Sequence, residues 1–262
     1  IGAMREALVA KVELNEQVRK DIQAIKRQSK ENARKAALKV PNLRDCKHHL
    51  GDGSDLGRQS MIFLTEGQSA AGSMVSCRNV LTQAIFSLRG KPLNTFGEKR
   101  DRLYENEELF FIVQALGIEE EIEQLRYGKV IIATDADVDG HHIRNLLITF
   151  FLSYFEPLVL AGHLHILETP LFRVRNRERT LYCYSEEERD RAVAELGRPG
   201  LEITRFKGLG EISPKEFGPF IGEDLRLTSV TIDHMRNVPQ ILEFYMGKNT
   251  PERRDYIMEH LI

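Results

Sequence analysis

The chain has 262 residues, 42% of them hydrophobic and 29% charged, which allows one or two domains with a sizeable core and excludes a disordered tail. Its formal charge of −2 at pH 7 singles out no nucleic-acid partner by bulk charge. Cys46, Cys77 and Cys183 lie far apart without CxxC spacing, which excludes a disulfide framework and a zinc site and implies a reduced, cytoplasmic setting. No apolar run approaches a membrane span and no secretory signal is present, so no membrane partner is expected. The opening Ile1-Gly2-Ala3-Met4 reads as an expression remnant or as the edge of a piece cut from a longer chain.

Charge is unevenly spread. Residues 1–58 hold 13 Lys+Arg against 8 Asp+Glu. A basic arm on an acidic body suits contact with phosphates beside a divalent-metal site, although a solvated helical face explains the same charges. Residues 5–39 contain no Gly or Pro, and Leu14, Val18, Ile22 and Ile25 share one stripe, which predicts a long helix ending near Pro41. Gly51, Gly53, Ser54 and Gly57 mark a loop. It is not a dinucleotide fingerprint, because the third glycine comes one residue late and the segment precedes a strand.

Met61–Thr65 is a short apolar run, expected as a buried strand ending at Glu66-Gly67. Residues 69–86 read as helix with Ser69 as N-cap, and 105–116 return to helical spacing. Lys129–Thr134 is expected as a second buried strand, Ile143–Tyr154 as a core helix and His163–Leu167 as a third strand. Leu201–Thr204 and Arg253–Leu261 follow as strand and closing helix. Continuous apolar strands alternating with helices predict an α/β fold, a small parallel sheet covered by helices. The expected organisation is a linker and helix over 1–58, a metal-binding domain over 59–175 and a C-terminal tail region over 176–262.

The most informative string is Asp135-Ala136-Asp137-Val138-Asp139-Gly140. Three carboxylates at the end of an apolar strand repel one another unless a cation is present, and an all-oxygen set suits Mg²⁺. An EF-hand calcium loop begins in the same way. It needs a Glu at its twelfth position, which here is Leu146, and a helix where this chain has Val130-Ile131-Ile132-Ala133. Capping of the following helix accounts for Asp139, but three aspartates exceed what a cap requires. Glu66 also follows an apolar strand. In a parallel sheet the strand C-terminal ends share one edge, so Glu66 can meet the Asp135/Asp137 pair.

A Glu after one strand and an Asp-x-Asp after a later one resemble the Toprim domain of topoisomerases, primases and some nucleases. Thr65-Glu66-Gly67-Gln68-Ser69-Ala70, Leu88–Asn94, Asp135–Ile143, Phe206–Glu211 and the segment from Met246-Gly247 to Arg253-Arg254 together resemble the B subunits of type IIA topoisomerases. Ser87–Asn94 and Leu171–Asn176 look closer to the topoisomerase IV branch than to the gyrase branch. Gln68 departs from the family's usual Asp, and Ala71 from its common Gly.

The resemblance implies a Rossmann-like Toprim sheet. It also implies metal-assisted DNA cleavage and religation, with the attacking tyrosine on a partner A subunit in an A2B2 assembly on double-stranded DNA. By family likeness Glu66 and Asp135 hold one Mg²⁺, and Asp135 and Asp137 a second, with Mn²⁺ or Ca²⁺ as substitutes for binding. Glu66 doubles as general acid/base, Asp139 and His142 support the site, and Arg89, Lys91 and Lys207 contact DNA. ATP would bind only elsewhere in a full-length subunit, and 5–39 would be the end of its transducer. A Toprim nuclease acting alone and a non-enzymatic DNA-binding module are the competing classes.

Overall fold

The computed structural model describes residues 40–118, 122–197, 199–232 and 237–260. Nearly all of these belong to the compact unit Asn42–Ile262, whereas the helix expected over 5–39 lies outside the described residues. The main sheet has six strands in the order β1-β3-β2-β4-β5-β9. These are β1 (Leu43–Arg44), β2 (Met61–Glu66), β3 (Gln83–Leu88), β4 (Lys129–Ala133), β5 (Leu164–Glu168) and β9 (Arg226–Ser229). The four central strands are parallel, and three of them, β2, β4 and β5, lie where short strands are expected from the sequence. Both edges, β1 and β9, are antiparallel, so the sheet is mixed.

Helices cover this sheet. α1 (Asp55–Arg58) lies between β1 and β2, and α2 (Gly67–Cys77) joins β2 to β3. α3 (Arg100–Glu105) and α4 (Glu107–Leu116) lie between β3 and β4, and α5 (Val138–Tyr154) with α6 (Glu156–Leu160) between β4 and β5. Phe63, Met74, Ile85, Ile131 and Phe217 meet in one core, and α5 buries Ile143, Leu147, Phe150 and Phe151.

The helix expected over 69–86 is corrected. It begins at Gly67, stops at Cys77, and the chain then enters the fully buried strand β3. Ser69 is not the N-cap. Glu66 holds that position and makes no side-chain capping bond. The run Gln83–Leu88 looks helical in isolation because Gln83 and Ser87 interrupt its apolar residues. Both are buried here, and Gln83 Nε2 donates to the Ile221 carbonyl 138 residues away at 2.5 Å.

A second, three-stranded antiparallel sheet is built from β6 (Phe172–Arg175), β7 (Thr180–Cys183) and β8 (Glu202–Arg205), in the order β7-β6-β8. It spans residue 175, the expected end of the metal-binding domain. β9, from the expected tail region, extends the main sheet instead. α7 (Glu186–Leu196) covers the small sheet, with Phe172, Val174, Cys183 and Ala192 as its core. α8 (Pro214–Ile221), α9 (Val238–Met246) and α10 (Thr250–His260) complete the described chain, α10 lying where Arg253–Leu261 was expected as helix.

One polar cluster fastens the small sheet to α8. Glu216 accepts from Arg173 at 2.7 Å, from the Tyr182 hydroxyl at 2.9 Å and from the Ser213 hydroxyl at 2.7 Å. Burial pushes this carboxyl up, but the hydrogen bonds from Ser213, Arg173 and Tyr182 outweigh it and hold it at about 2 instead of 4.5. A depressed carboxylate stabilises the fold fully above its unfolded pKa, and that contribution is lost as pH falls through about 2. Glu216→Gln should therefore cost roughly 2–3 kcal/mol at pH 7. Denaturant unfolding at pH 7 and at successively lower pH checks this, and the gap between variant and parent should close on acidification. Equal stability at pH 7 would show that the cluster contributes nothing.

Candidate metal centre

β2 leads through α2 to β3 on one side, whereas β4 returns to the other side of β2. This reversal opens a crevice beyond the C-terminal ends of β2 and β4, the usual ligand position in such sheets. Glu66 is the last residue of β2. Thr65 pairs with Ala133, so Asp135 emerges two residues past the neighbouring strand. The sheet thus brings Glu66 and Asp135 to one edge. The backbone N–H of Asp135 faces the Glu66 carboxylate, whose Oε2 is buried without a hydrogen-bond partner. Burial pushes the Glu66 carboxyl above its ordinary value, and the charges of Asp135, Asp137 and Asp139 push it the same way.

Asp135 is held from the far end of the chain. Its Oδ1 accepts from the Leu209 N–H at 2.7 Å, and Ala136 N–H donates to the Lys207 carbonyl at 3.2 Å. Burial is the larger influence and raises the Asp135 carboxyl. The Leu209 amide opposes it, and Asp137 and Glu211 add to it. The string Lys207-Gly208-Leu209-Gly210-Glu211 is therefore a backbone cradle for Asp135, a role not evident from the string itself.

Gly208 is required by this approach, since a Cβ there would stand 2.8 Å from Asp135 Oδ2. Gly140 is required on the other side, where a Cβ would collide with the Asp135 carbonyl oxygen. Gly208→Ala should displace the Asp135 carboxylate and weaken Mn²⁺ binding about tenfold, a loss of roughly 1.4 kcal/mol, while leaving thermal stability nearly unchanged. Titration of the chain with Mn²⁺ checks this, and unaltered affinity would mean that the carboxylate is not positioned by the loop.

Asp137 is exposed and caps α5, its Oδ1 accepting from the Gly140 N–H at 2.8 Å. The cap is thus Asp137 and not Asp139, correcting the sequence expectation. Asp139 lies in the first turn of α5, where its Oδ1 accepts from the Lys91 ammonium at 2.7 Å, and this bond lowers the Asp139 carboxyl. His142 is exposed on the same helix and acts on Asp139 through space.

Of the expected phosphate contacts, Lys91 is thus turned to the acidic cluster. Arg89 is exposed, and its Nε donates to Asn42 at 3.2 Å. Lys207 is exposed, with no ion pair among the described residues.

An all-carboxylate donor set with an orphaned, buried Glu66 oxygen fits a hard divalent cation. The acidic residues do not form a closed cage, which suits an ion that keeps several waters. Among the described residues the one group of three such donors all within 4.8 Å is Asp45, Cys46 and His49. There a cation is already in place. Arg126 pairs with Asp45 and lies 2.8 Å from His49 Nε2, and the Tyr127 hydroxyl donates to Asp45 at 2.7 Å. Burial, with the charge of Asp45, pushes the Cys46 thiol up to about 11. This group ties the segment after β1 to residues 126–127.

Comparison with known proteins finds two family matches along the chain. The Toprim domain family matches residues 61–169, and the family described as DNA gyrase B subunit, carboxyl terminus, matches 198–258. The DNA topoisomerase 4 B subunit of Borreliella burgdorferi is 59% identical over 96% of this chain and 42% of its own length. The DNA gyrase B subunit of Archaeoglobus fulgidus is 37% identical over 76% of this chain and 32% of its own. The Thermotoga maritima gyrase B subunit is 34% identical over 99% and 43%. The chain therefore spans less than half the length of these relatives.

The Plasmodium falciparum topoisomerase II DNA-binding, cleavage and re-ligation domain superposes with a TM-score of 0.70 over 86% of this chain and 32% of that one. At 24% identity it shows the fold alone. No helix among the described residues is long and apolar enough to cross a membrane. A Toprim domain in topoisomerase relatives implies use of a divalent metal. With 59% identity across nearly its whole length and both domain families in order, the chain is homologous to the B subunits of topoisomerase IV and gyrase, of which it carries the Toprim and carboxyl-terminal parts.

Proposed function

We propose that this chain is the DNA-cleaving and religating half of a cytoplasmic, ATP-dependent type IIA topoisomerase B subunit, of the topoisomerase IV kind. Double-stranded DNA would be its substrate and an A subunit carrying the nucleophilic tyrosine its partner, in an A2B2 assembly. ATP would be handled by a part of the full subunit outside this chain. The proposed organisation is transducer end and linker over 1–58, metal-binding domain over 59–175 and tail region over 176–262. The observation that carries the reading is the convergence of Glu66 and Asp135 at the crevice between β2 and β4, with a buried Glu66 oxygen left unpartnered.

Glu66, Asp135 and Asp137 are the residues that would hold Mg²⁺, for which Mn²⁺ or Ca²⁺ can substitute in binding. When bound, such an ion supplies Lewis-acid stabilisation of charge on the phosphate and on the departing 3′-oxygen. The chain's own groups do the rest. The Leu209 amide fixes Asp135, and the Gly140 amide fixes one Asp137 oxygen while the other stays available. Glu66, raised by burial, is suited to take up the proton of the 3′-hydroxyl in religation and to give one to the departing 3′-oxygen in cleavage. Asp139 and His142 support the cluster, and Arg89, Lys91 and Lys207 contribute phosphate contacts.

The test is to combine the chain, in its full subunit, with a candidate A subunit and to assay covalent cleavage complexes with and without Mg²⁺. Nicking by the isolated chain without an A subunit would favour a stand-alone nuclease. Decatenation without supercoiling supports topoisomerase IV, and ATP-driven supercoiling would assign the chain to the gyrase branch.

A further inference from the structure

Among the described residues no Lys or Arg forms an ion pair with Glu66, Asp135 or Asp137. The Lys91–Asp139 pair at 2.7 Å brings a cation to the margin of this cluster. Both side chains are largely exposed, at 49% and 64%, and a pair so exposed contributes little to stability. Its position is the informative feature. Asp139 sits two residues beyond the helix cap Asp137, and the carboxylates of Glu66 and Asp137 also act on the Lys91 ammonium through space.

The backbone around Lys91 is held at both ends. Arg89 N–H donates to Glu108 at 3.0 Å, and Asn94 Nδ2 donates to the Met246 carbonyl at 2.8 Å. Only the flexible lysine stem needs to move for the ammonium to leave.

We propose that Lys91 is an intrinsic counter-cation of the carboxylate cluster, docked on Asp139, which competes with a divalent metal and is displaced when the metal binds. This rests on the reading of Glu66, Asp135 and Asp137 as metal ligands. The physical ground is that an ammonium and a divalent ion repel one another across a shared set of carboxylates, and that salt screens this repulsion. Lys91 thereby keeps the cluster partly neutralised before the metal arrives. Asp139 acts as a positioning residue for that lysine.

Mn²⁺ titration of the full chain without DNA, followed by the EPR signal of free Mn²⁺, tests the proposal. Lys91→Met should tighten Mn²⁺ binding by a factor of about three to ten at low salt, and the gain should shrink as ionic strength rises. Lys91→Arg keeps the charge and should stay within about twofold of the parent, since the same repulsion persists. Glu66→Gln and Asp135→Asn should each weaken binding.

Unchanged or weaker binding in Lys91→Met, with both carboxylate variants impaired, overturns the competition and leaves the metal site standing. Unimpaired carboxylate variants, or no Mn²⁺ binding by the parent chain, overturn the metal reading and the inference with it. Thermal unfolding of each variant separates these outcomes from misfolding.

Discussion

Asp135→Ala is expected to abolish Mg²⁺-dependent DNA cleavage in the reconstituted enzyme while leaving the fold intact. The two functions of this region are separable at Asp135, because its carboxylate is held by one backbone amide and faces other carboxylates. Removing it relieves repulsion in the metal-free state, so thermal stability should hold or rise. The loss of metal-supplied charge stabilisation amounts to several kcal/mol, or on the order of 10³-fold in rate.

Asp137 requires a different substitution, because it also caps α5. Asp137→Ala removes the cap as well as the charge, at a cost of about 1 kcal/mol in stability. Asp137→Asn keeps an acceptor for the Gly140 N–H and loses only the charge. Both Asp137 variants should lose cleavage, but only Asp137→Ala should unfold at a lower temperature. A cleavage-complex assay with the A subunit, run beside thermal melts, reads both effects. Undiminished cleavage in Asp135→Ala or Asp137→Asn would remove these residues from the site.

Glu66→Gln separates a cleavage site from a mere metal-binding site. The amide keeps the size of the side chain and loses the charge. DNA binding should survive, because most affinity comes from phosphate contacts elsewhere. Cleavage and religation should fall by orders of magnitude, each tenfold corresponding to about 1.4 kcal/mol of lost transition-state stabilisation. Rescue by higher Mg²⁺ or Mn²⁺ would attribute the defect to metal affinity, and failure of rescue to the proton-transfer role.

Stability should move the other way. The Glu66 carboxyl is raised in the folded chain, by burial first and then by three aspartates, so its ionised form opposes folding. That penalty is present at neutral pH and disappears as pH falls through the raised value. Glu66→Gln should therefore melt higher than the parent at pH 7 without metal, and the two should converge in acid. Equal loss of DNA binding and cleavage would make Glu66 a structural residue.

Sequence pattern alone is enough to place Glu66 and Asp135 at the ligand edge. Met61–Thr65 and Lys129–Thr134 are largely apolar on both faces, which suits a strand covered on both sides, and each is followed directly by a carboxylate. Glu66 and Asp135 are therefore adjacent once the two strands are parallel neighbours. The strings around them carried the family resemblance that the comparisons bear out.

Tertiary structure decided what each carboxylate touches. The start of β3, residues 83–86, reads as a continuation of the helix because the polar Gln83 is tolerable in a buried strand only when β2 and β1 flank it and Gln83 reaches Ile221. Which aspartate caps α5 depends on where the helix starts, and periodicity leaves helix boundaries loosely defined. The contacts of Leu209 with Asp135 and of Lys91 with Asp139 close loops of 74 and 48 residues. Local propensity and spacing act over a few residues. Only the packing of distant segments assigns one loop as the cradle of Asp135 and turns Lys91 to the acidic cluster.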